Sequence, residues 1–449
     1  MVINTHYSWT KRWGILLLLS FVMFTGYLFI DILSPINTWV EYIYGWDDDV
    51  YGMYASSELF LNVFLLFLII GGFLLDKKGT RFMARLTGAF MLTGALIELY
   101  AFTDSFENSW LHTVIDKVYI SHSISLMPAS AKLASLGFMI FGAGLEGAGL
   151  LVMRCIVKWF EGKELALALG IETILCRLGV ICSTTIIPKI SNIIFPYSIL
   201  GLIFIGVLIV LIGISLLMFY SYYDNKISIS SPYAIQAERF TTKGLKKTLQ
   251  SKVFWIFVLL CICYYALLYC GQAFLSKALV QDLGYDEGFV SKVWLFLPTI
   301  AIVLSPFLCS IFDIWGRTIS FILVGGILTF LYFLIITFIL PAYHSNFALY
   351  LAISLLSLSY AIIPAAMWPT VTKVVDRSVL GSAYGLMFWL QNIGLFCFPI
   401  AFGGIYFKFG YKAAFISFVL LSIATILLSI LLLLEDKNNK HELELPNIR

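Results

Sequence analysis

The feature that most constrains this chain is the recurrence of apolar runs of 18 or more residues along its length. A helix of about 20 apolar residues crosses the hydrocarbon core of a bilayer. Only 12% of the 449 residues are charged, against about 25% in a soluble domain, so the chain cannot cover itself with a water-exposed surface. Spanning segments must satisfy their own backbone hydrogen bonds, so the pattern predicts an all-α polytopic membrane protein.

Twelve apolar segments are predicted to span the membrane, and they fall into two groups of six. The segments lie near 13–34, 53–75, 82–102, 133–157, 165–188, 196–221, 253–275, 289–311, 319–340, 347–371, 379–404 and 411–434. A longer polar and basic stretch separates the sixth segment from the seventh. The predicted organisation is therefore a six-helix half at 1–221, a cytoplasmic linker at 222–252, a second six-helix half at 253–435 and a tail at 436–449.

Lys and Arg are distributed unevenly between the two sides of the predicted bundle. With the N-terminus inside, twenty of the 29 fall on the inner side and seven on the outer side. By the positive-inside rule, both termini are predicted to be cytoplasmic. The sequence has no Asn-x-Ser/Thr sequon and no acidic dileucine signal before the first span. These features favour a prokaryotic cytoplasmic membrane over a lysosome.

Several classes of function are excluded. The basic residues form short patches rather than the concentrated face that nucleic-acid binding needs. The eight Cys residues lie in apolar runs and the five His residues lie in loops or tails, so neither a metal site nor a disulfide framework is indicated. The stretch 142–147 spells G-x-G-x-x-G, but it lies inside an apolar span without a preceding strand. We expect a monomer without cofactor or metal that is not an enzyme.

A short motif recurs after the second and the eighth predicted span. Residues 72–81 read GFLLDKKGTR and residues 309–317 read CSIFDIWGR. Both approximate G-x-L-x-D-(R/K)-x-G-(R/K), with Thr80 displacing Arg81 by one place in the first copy and more departures in the second. Glycine permits a tight turn, and an Asp can cap a neighbouring helix. We interpret the motif residues as structural or gating residues: Gly72, Asp76, Gly79, Arg81, Asp313, Gly316 and Arg317.

The paired motif resembles the major facilitator superfamily, whose two six-helix halves rock around a central site. Two further blocks resemble its dipeptide-uniporter branch and the prokaryotic relatives of that branch. They are KWFEGKEL at 158–165, and the series Trp-Pro at 368–369, GSAYG at 381–385 and Gln-Asn at 391–392. The resemblance covers nearly all of the membrane region. It implies alternating-access transport of dipeptides, and it matches the central Glu, Arg and Trp of that branch to Glu146, Arg177 and Trp368.

Apart from Arg85, Lys292 and Lys412 at span edges, seven charged side chains lie within the predicted spans, all in the first half: Asp31, Glu58, Glu98, Glu146, Arg154, Glu172 and Arg177. A charge at mid-membrane costs about 2.5–3.5 kcal/mol on insertion scales, so each needs a partner, a cavity or an exit to the surface. Asp31 and Glu58 lie near the outer ends of their spans and are candidates for proton coupling, with local hydrogen bonding or snorkelling as the alternative. Arg154 is within reach of Glu172 or Asp76, and we interpret this group as structural or gating.

Glu146 and Arg177 are predicted to lie at matching depth near the midplane. Glu146 is twelve residues from Lys158, about 18 Å along a helix, and Arg177 is thirteen residues from Glu164, about 20 Å. Transporters of this build bind their substrates at that depth. Glu146 can bind the ammonium of a dipeptide, while Arg177 offers a planar donor fork to its carboxylate. A purely structural ion pair is the alternative.

The second half contributes aromatic and amide groups rather than mid-membrane charges. Trp368 is singled out because Pro369 is predicted to interrupt its helix and to open local backbone. Four further candidate substrate contacts, for which simple packing is the alternative, are Tyr264, Tyr265, Gln391 and Asn392. The predicted function is transport of dipeptides or short peptides. The alternatives are a proton-coupled carrier of another small organic anion or nutrient, and a non-transporting membrane subunit or sensor.

Overall fold

Long helices make up nearly all of the structure, a computed structural model that describes residues 8–122, 125–230, 240–438 and 442–448. The described residues fall into two compact units. Unit 1 comprises Met1–Cys155 and Glu172–Phe240, and unit 2 comprises Ile156–Ile171 and Thr241–Arg449. The segment Ile156–Ile171 comes from the first half of the sequence but belongs to unit 2. It is the tip of the hairpin formed by the fourth and fifth predicted spans, and we call it the hairpin tip. Of the predicted linker and tail, residues 231–239, 439–441 and 449 lie outside the described residues.

The first half of the chain contains both long apolar helices and short ones. In order, its elements are α1 (Trp9–Ile30), a 3-10 turn (Ser34–Ile36), α2 (Asn37–Tyr44), α3 (Asp48–Ser57), α4 (Phe60–Phe64), α5 (Phe67–Lys78), α6 (Thr80–Ala101), α7 (Asp104–Glu107), α8 (Trp110–Asp116), the antiparallel pair β1 (Ser121–His122) and β2 (Ser125–Leu126), α9 (Ala129–Phe160), α10 (Leu165–Thr185), α11 (Ile187–Ile194) and α12 (Ile199–Ser230).

The second predicted span is not one continuous helix. It is divided into α3, α4 and α5, and Leu66 between α4 and α5 has left-handed backbone with a φ of 56°. The prediction of an unbroken helix over 53–75 is therefore wrong. Neither break carries a Gly or a Pro, so local propensity does not account for them. Because the breaks redirect the chain, Glu58 lies at the end of a helix instead of within one.

Helices α1, α6, α9 and α12 form the body of unit 1. α12 packs against both α1 and α6. α6 meets α9 at small residues, where a Cβ added to Gly94 would lie 2.4 Å from the amide nitrogen of Phe141 and 2.5 Å from the carbonyl oxygen of Gly137. Small residues allow such close backbone approach between helices in a membrane. The contact holds α9, the helix that carries Glu146, against its neighbour.

The second half of the chain consists mainly of long helices. Its elements are α13 (Thr242–Leu249), α14 (Lys252–Gln281), α15 (Glu287–Trp315), α16 (Thr318–Leu334), a π-helical turn (Ile335–Ile339), α17 (Leu340–Tyr343), α18 (Asn346–Val374), a 3-10 turn (Arg377–Val379) and α19 (Leu380–Asn438). α19 contains non-helical backbone at Gly410, with a φ of 77°. Gly410 thus divides it between the two predicted spans 379–404 and 411–434.

The core of unit 2 forms where α14, α16, α18 and α19 meet. α14 packs along α19, while α16 packs against both α18 and α19. Aromatic side chains fill the centre, including Tyr332, Phe333, Phe415 and Phe418, all fully buried. The rings of Phe333 and Phe418 stack with their centroids 5.2 Å apart, a separation at which aromatic pairs attract one another. This core positions α14 and α18, the helices that carry Tyr265 and Trp368.

The predicted class, an all-helical membrane protein, is confirmed. Within the described residues, ten helices are long and apolar enough to cross a membrane. One of the ten, Arg377–Asn438, contains two of the predicted spans. The divided second span is absent from the ten because each of its helices is shorter than 18 residues. The twelve apolar segments recognised in the sequence are mainly helical in the structure, and the second is interrupted at residues 58–59 and 65–66.

Candidate functional site

Glu146 presents a carboxylate within the body of unit 1. It lies on α9 and is half-buried. Among the described residues it forms no hydrogen bond and no ion pair, and in particular none with Arg177. A carboxylate without a hydrogen-bond or ion-pair partner in such surroundings is costly unless a ligand, a proton or water satisfies it. Its hydrogen-bonding capacity is therefore not used within the described residues.

Glu58 lies beside Glu146. A Cβ added to Gly142, one helical turn before Glu146, would lie 2.5 Å from the carbonyl oxygen of Glu58 and 2.6 Å from its Cγ. The missing side chain of Gly142 therefore makes the space that Glu58 occupies. Glu146 and Asp31 are both close enough to Glu58 to interact with its carboxylate electrostatically. The structure thus places Glu58 within electrostatic range of two other carboxyl groups, which the sequence spacing did not connect.

Arg177 lies on α10 and is half-buried. Its positive charge attracts the carboxylate of Glu172, which lies on the same helix. The Oε1 of Glu172 also accepts a weak hydrogen bond from the Sγ of Cys176 at 3.2 Å. Glu172 therefore interacts within α10, instead of with Arg154 on α9, which was one of the two alternatives left open by the sequence.

Arg154 pairs with Asp76, the other alternative. The guanidinium Nη1 lies 3.1 Å from Oδ1 of Asp76 and donates a 2.7 Å hydrogen bond to the carbonyl oxygen of Leu75. The Asp76 side chain is completely buried and that of Arg154 is 10% exposed. The pair therefore joins the last turn of α5 to α9. Gly72 is buried on α5, while Arg81 is exposed in the first turn of α6.

Glu98 is buried and forms a local hydrogen bond through one of its two carboxylate oxygens. The Tyr54 hydroxyl donates a 2.7 Å hydrogen bond to its Oε1, and both residues are almost completely buried. Nearby, the indole nitrogen of Trp46 donates to the hydroxyl of Ser130 at 3.0 Å. Sequence reasoning missed Tyr54 because it lies 44 positions from Glu98, and no local spacing connects the two.

Trp368 is the centre of an aromatic cluster in unit 2. Its indole nitrogen donates a 3.1 Å hydrogen bond to the hydroxyl of Tyr265. The hydroxyl of Tyr384 in turn donates to the carbonyl oxygen of Trp368 at 3.0 Å, and the Phe388 ring lies edge-on to the indole with centroids 4.9 Å apart. The cluster is therefore pre-organised by hydrogen bonds at both the side chain and the backbone of Trp368.

The helix around Trp368 differs from expectation in one respect. α18 continues through Pro369 to Val374, so the prediction that this proline interrupts the helix is wrong. Proline is tolerated in a membrane helix when neighbouring helices and side chains satisfy the backbone groups that it leaves free. Tyr384 and Phe388 were not singled out from the sequence, although Tyr384 belongs to the GSAYG block at 381–385.

The remaining candidate substrate contacts in unit 2 differ in burial and in hydrogen bonding. Tyr264 is fully buried and packs edge-on against Tyr265, with ring centroids 5.6 Å apart. Gln391 is half-buried, and its Oε1 accepts from the Sγ of Cys261 at 3.5 Å. Asn392 is 4% exposed, and its Nδ2 has no hydrogen-bond partner among the described residues. Asn392 is therefore a buried side chain whose amide donor is not used within the described residues.

The second copy of the turn motif caps a helix. The two carboxylate oxygens of Asp313 accept hydrogen bonds from the backbone amides of Ala166 and Leu167, each at 2.8 Å. These amides open α10, and the first amides of a helix have no partner within it. Gly316 has a φ of 71°, and Arg317, exposed, has a φ of 53°. Asp313 therefore holds the tip of the α9–α10 hairpin within unit 2.

Metal-ligating side chains do not cluster in the part of the chain that the structure describes. No group of three or more His, Cys, Asp or Glu residues there is arranged to hold a metal ion. The carboxyl groups of Asp31, Glu58 and Glu146 do not form such a group.

Comparison with known proteins gives a consistent result. The Major Facilitator Superfamily matches residues 19–390 and 273–446. The lysosomal dipeptide transporter MFSD1 of Bos taurus is 25% identical over 433 residues, which covers 93% of this chain and 85% of the relative. The Danio rerio protein of the same name is 26% identical over 391 residues, covering 84% of this chain and 76% of the relative.

Solved structures with similar folds are also transporters. The proton:xylose symporter XylE, bound to 6-bromo-6-deoxy-D-glucose, matches with a TM-score of 0.70 at 10% identity and covers 94% of this chain and 95% of its own. The human organic anion transporter MFSD10 matches with a TM-score of 0.67 at 14% identity and covers 94% of this chain and 100% of its own. Fold and sequence agree that this chain belongs to the Major Facilitator Superfamily of membrane transporters.

Proposed function

We propose that this protein transports dipeptides or short peptides across a membrane by alternating access. The observation that carries the proposal is the state of Glu146, a carboxylate inside a spanning helix with no hydrogen-bond or ion-pair partner among the described residues. A structural ion pair with Arg177 would have left the Glu146 carboxylate unavailable to a ligand. The relatives that match most of this chain are named dipeptide transporters.

The ligand chemistry follows from the two charges of unit 1. Every zwitterionic dipeptide carries an ammonium at one end and a carboxylate at the other. Glu146 complements the ammonium, and the fixed donor fork of Arg177 complements the carboxylate. Recognition of the two ends is independent of the side chains in between. In unit 2, the aromatic surface around Trp368 and Tyr265 suits side chains of varied size, because aromatic contacts are less directional than hydrogen bonds.

The test separates the two ends of the peptide. In proteoliposomes, Glu146→Gln should lower the apparent affinity for free alanylalanine by roughly 10- to 100-fold, the value of a lost charge-assisted hydrogen bond. It should have much less effect on N-acetylated alanylalanine, which has no ammonium. Arg177→Gln should show the opposite selectivity and spare the C-terminally amidated peptide. Glu161→Gln, at an ion pair with Arg377 outside the proposed site, is a matched control.

The double variant Glu146→Gln/Arg177→Gln decides against the structural alternative. If the charges served only to neutralise each other, both single variants would fail with every ligand and the double variant would recover. Recovery of full alanylalanine transport in the double variant therefore contradicts the proposal. Loss of free-peptide transport in all three variants, with the end-specific pattern in the single ones, supports it.

A proton-coupled carrier of another organic anion is the second candidate, and one observation favours it. Glu58 lies next to Glu146 and within electrostatic range of it. Two neighbouring carboxyl groups tend to share a proton, because both ionised forms repel each other. Under this alternative Arg177 binds the anion and Glu58 or Asp31 carries the proton. Uptake that collapses with a protonophore, and that becomes insensitive to it in Glu58→Gln, would identify this mode.

The orientation and location complete the proposal. We place both termini in the cytoplasm of a prokaryotic cell, on the basis of the Lys and Arg distribution and the absence of glycosylation sequons. Gln250 lies in the predicted linker and is exposed. A cysteine introduced by Gln250→Cys should react with an impermeant maleimide only after the cells are permeabilised. Labelling in intact cells would contradict the proposed orientation. A fluorescent fusion confined to lysosomes would contradict the proposed location.

A further inference from the structure

The C-terminal segment 442–448 is bound to the surface of unit 2 by its backbone. The amide of Arg317 donates to the carbonyl oxygen of Glu444 at 2.8 Å. The hydroxyl of Thr318 donates to the carbonyl oxygen of Leu443 at 3.1 Å, and the ammonium of Lys373 donates to that same oxygen at 3.2 Å. Leu443 is only 6% exposed, although its neighbour Glu442 is exposed. The segment is therefore docked rather than loosely placed.

The side chain of Glu444 completes a helix that otherwise lacks a cap. α16 begins at Thr318, and its N-cap residue Arg317 makes no side-chain capping bond. The Glu444 carboxylate instead accepts from the amide of Ser320 at 2.9 Å and from its hydroxyl at 3.1 Å. A carboxylate at this position satisfies an unpaired amide and opposes the positive end of the helix dipole. The segment thus stabilises the first turn of α16.

Asn447 connects the segment to the second copy of the turn motif. Its Nδ2 donates a 2.8 Å hydrogen bond to Oδ1 of Asp313, and the amide of Ile448 donates to the Asp313 carbonyl oxygen at 3.0 Å. That same Oδ1 accepts the amide of Ala166 at the start of α10. One carboxylate therefore holds the hairpin tip and the C-terminal segment together, and Asn447 fixes its orientation.

We propose that the segment 442–448 is a latch, which holds the hairpin tip against the turn 313–317 and must release before this end of unit 2 can open. A transporter that works by alternating access has to open each end in turn, so contacts that close one end must break in every cycle. The segment raises the cost of breaking the Asp313 contact, because Asn447 stabilises the carboxylate in its capping position. The inference concerns the conformational cycle and is independent of the substrate.

Docking of the segment can be measured directly. In purified protein, a cysteine introduced by Leu443→Cys should react slowly with an impermeant maleimide, whereas one introduced by Glu442→Cys should react at the rate of an exposed thiol. Adding Asn447→Ala to Leu443→Cys should accelerate its labelling by roughly 2- to 10-fold, the effect of one lost hydrogen bond. Equal rates at the two adjacent positions would show that the segment is not docked and would overturn the proposal.

The native Cys309 reports whether the latch controls opening. It is fully buried on α15, and a Cβ added to Gly170 of α10 would lie 2.5 Å from its Sγ. Separation of the hairpin tip from α15 would therefore expose it. Its reaction with N-ethylmaleimide, followed by peptide-resolved mass spectrometry, needs no substrate. Asn447→Ala should increase the rate by roughly 2- to 10-fold, and deletion of 442–449 should increase it further.

The controls distinguish a latch from a passive brace. Leu445→Ala changes an exposed side chain of the same segment and should leave Cys309 labelling unchanged. If Cys309 labelling does not respond to Asn447→Ala or to the deletion while both variants remain folded by gel filtration, the segment is only a brace and the proposal is wrong. Because no peptide enters the measurement, failure of the dipeptide proposal would leave this result intact.

Discussion

The two copies of the turn motif, at 72–81 and 309–317, use the same residue type in different ways. Asp76 forms an ion pair with Arg154, which lies on a neighbouring helix. Asp313 instead accepts two backbone amides at the start of α10 and the side-chain amide of Asn447. In the first copy the carboxylate is compensated by a charged guanidinium group. In the second copy it is compensated by uncharged N–H donors.

The difference shows that the motif specifies a position and not a partner. Both copies place an Asp at the last turn of a helix, followed three residues later by a glycine with positive φ. What meets the carboxylate is decided by the element that packs on that turn. A buried carboxylate needs compensation in either case, but loss of an ion pair leaves an opposite charge behind, whereas loss of a cap leaves neutral amides. The two turns should therefore respond differently to substitution.

The largest effect is expected from breaking the ion pair of the first turn. Arg154→Ala leaves the completely buried Asp76 carboxylate without its cation, which should lower the free energy of unfolding by about 3–5 kcal/mol. Denaturant unfolding in detergent micelles measures this change. Arg81→Ala, an exposed arginine in the same turn, should change it by less than about 0.5 kcal/mol. Equal effects of the two substitutions would show that the Arg154–Asp76 ion pair does not stabilise this turn.

The glycines of the two turns give the next largest contrast. Gly79 and Gly316 have φ values of 82° and 71°, and such backbone costs other residues about 1–3 kcal/mol. A Cβ at Gly79 would have no heavy atom within 4 Å, but at Gly316 it would lie 2.2 Å from the Glu444 carbonyl oxygen. Gly316→Ala should therefore destabilise the protein more than Gly79→Ala. Deleting 442–449 should abolish the additional destabilisation by Gly316→Ala. If the additional destabilisation persists in the deletion variant, the contact with Glu444 is not its cause.

A smaller effect is expected from removing the cap of the second turn. Asp313→Ala should lower the free energy of unfolding by about 1–2 kcal/mol, the usual cost of a lost helix cap. Asp313→Asn should cost less, because its amide oxygen can still accept one of the two bonds. Hydrogen exchange at the amides of Ala166 and Leu167 should accelerate in both variants. Unchanged exchange there would show that the cap does not limit opening of the hairpin tip.

The smallest effect is expected at Asp376, an exposed cap in unit 2 that contrasts with buried Asp313. Hydrogen bonds from the Ser378 hydroxyl and amide hold the pKa of Asp376 below its ordinary value of 3.8. A lowered pKa in the folded state means that the stabilisation is present above the ordinary pKa and is lost only as the pH falls through the lowered one. Asp376→Ala should cost about 0.5 kcal/mol at neutral pH, the lower end of the range for a lost cap, as measured by denaturant unfolding. A larger loss, or one that grows on mild acidification, would contradict this assignment.

Much of the candidate site could be predicted from the sequence, for an identifiable reason. An ionisable residue inside an apolar run is visible in a single sequence, because its insertion cost does not depend on which helix is its neighbour. Helix rise then sets its depth. Glu146, Arg177 and Arg154 were recognised on these grounds. Which residue each one meets could not be predicted, and the alternatives for Arg154 were resolved only when the structure placed Asp76 beside it.

The sequence by itself determined the membrane class, the twelve apolar segments and the repeated turn, because hydropathy accumulates along a continuous window and needs no tertiary contact. Only the tertiary structure decided the breaks around α4, the neighbourhood of Glu58 and Glu146, and the docking of 442–448. Asn447 and Asp313 lie 134 positions apart, and Arg154 and Leu75 lie 79 apart. Partners at such separations are selected by how the helices pack, and that information is absent from any local stretch of the chain.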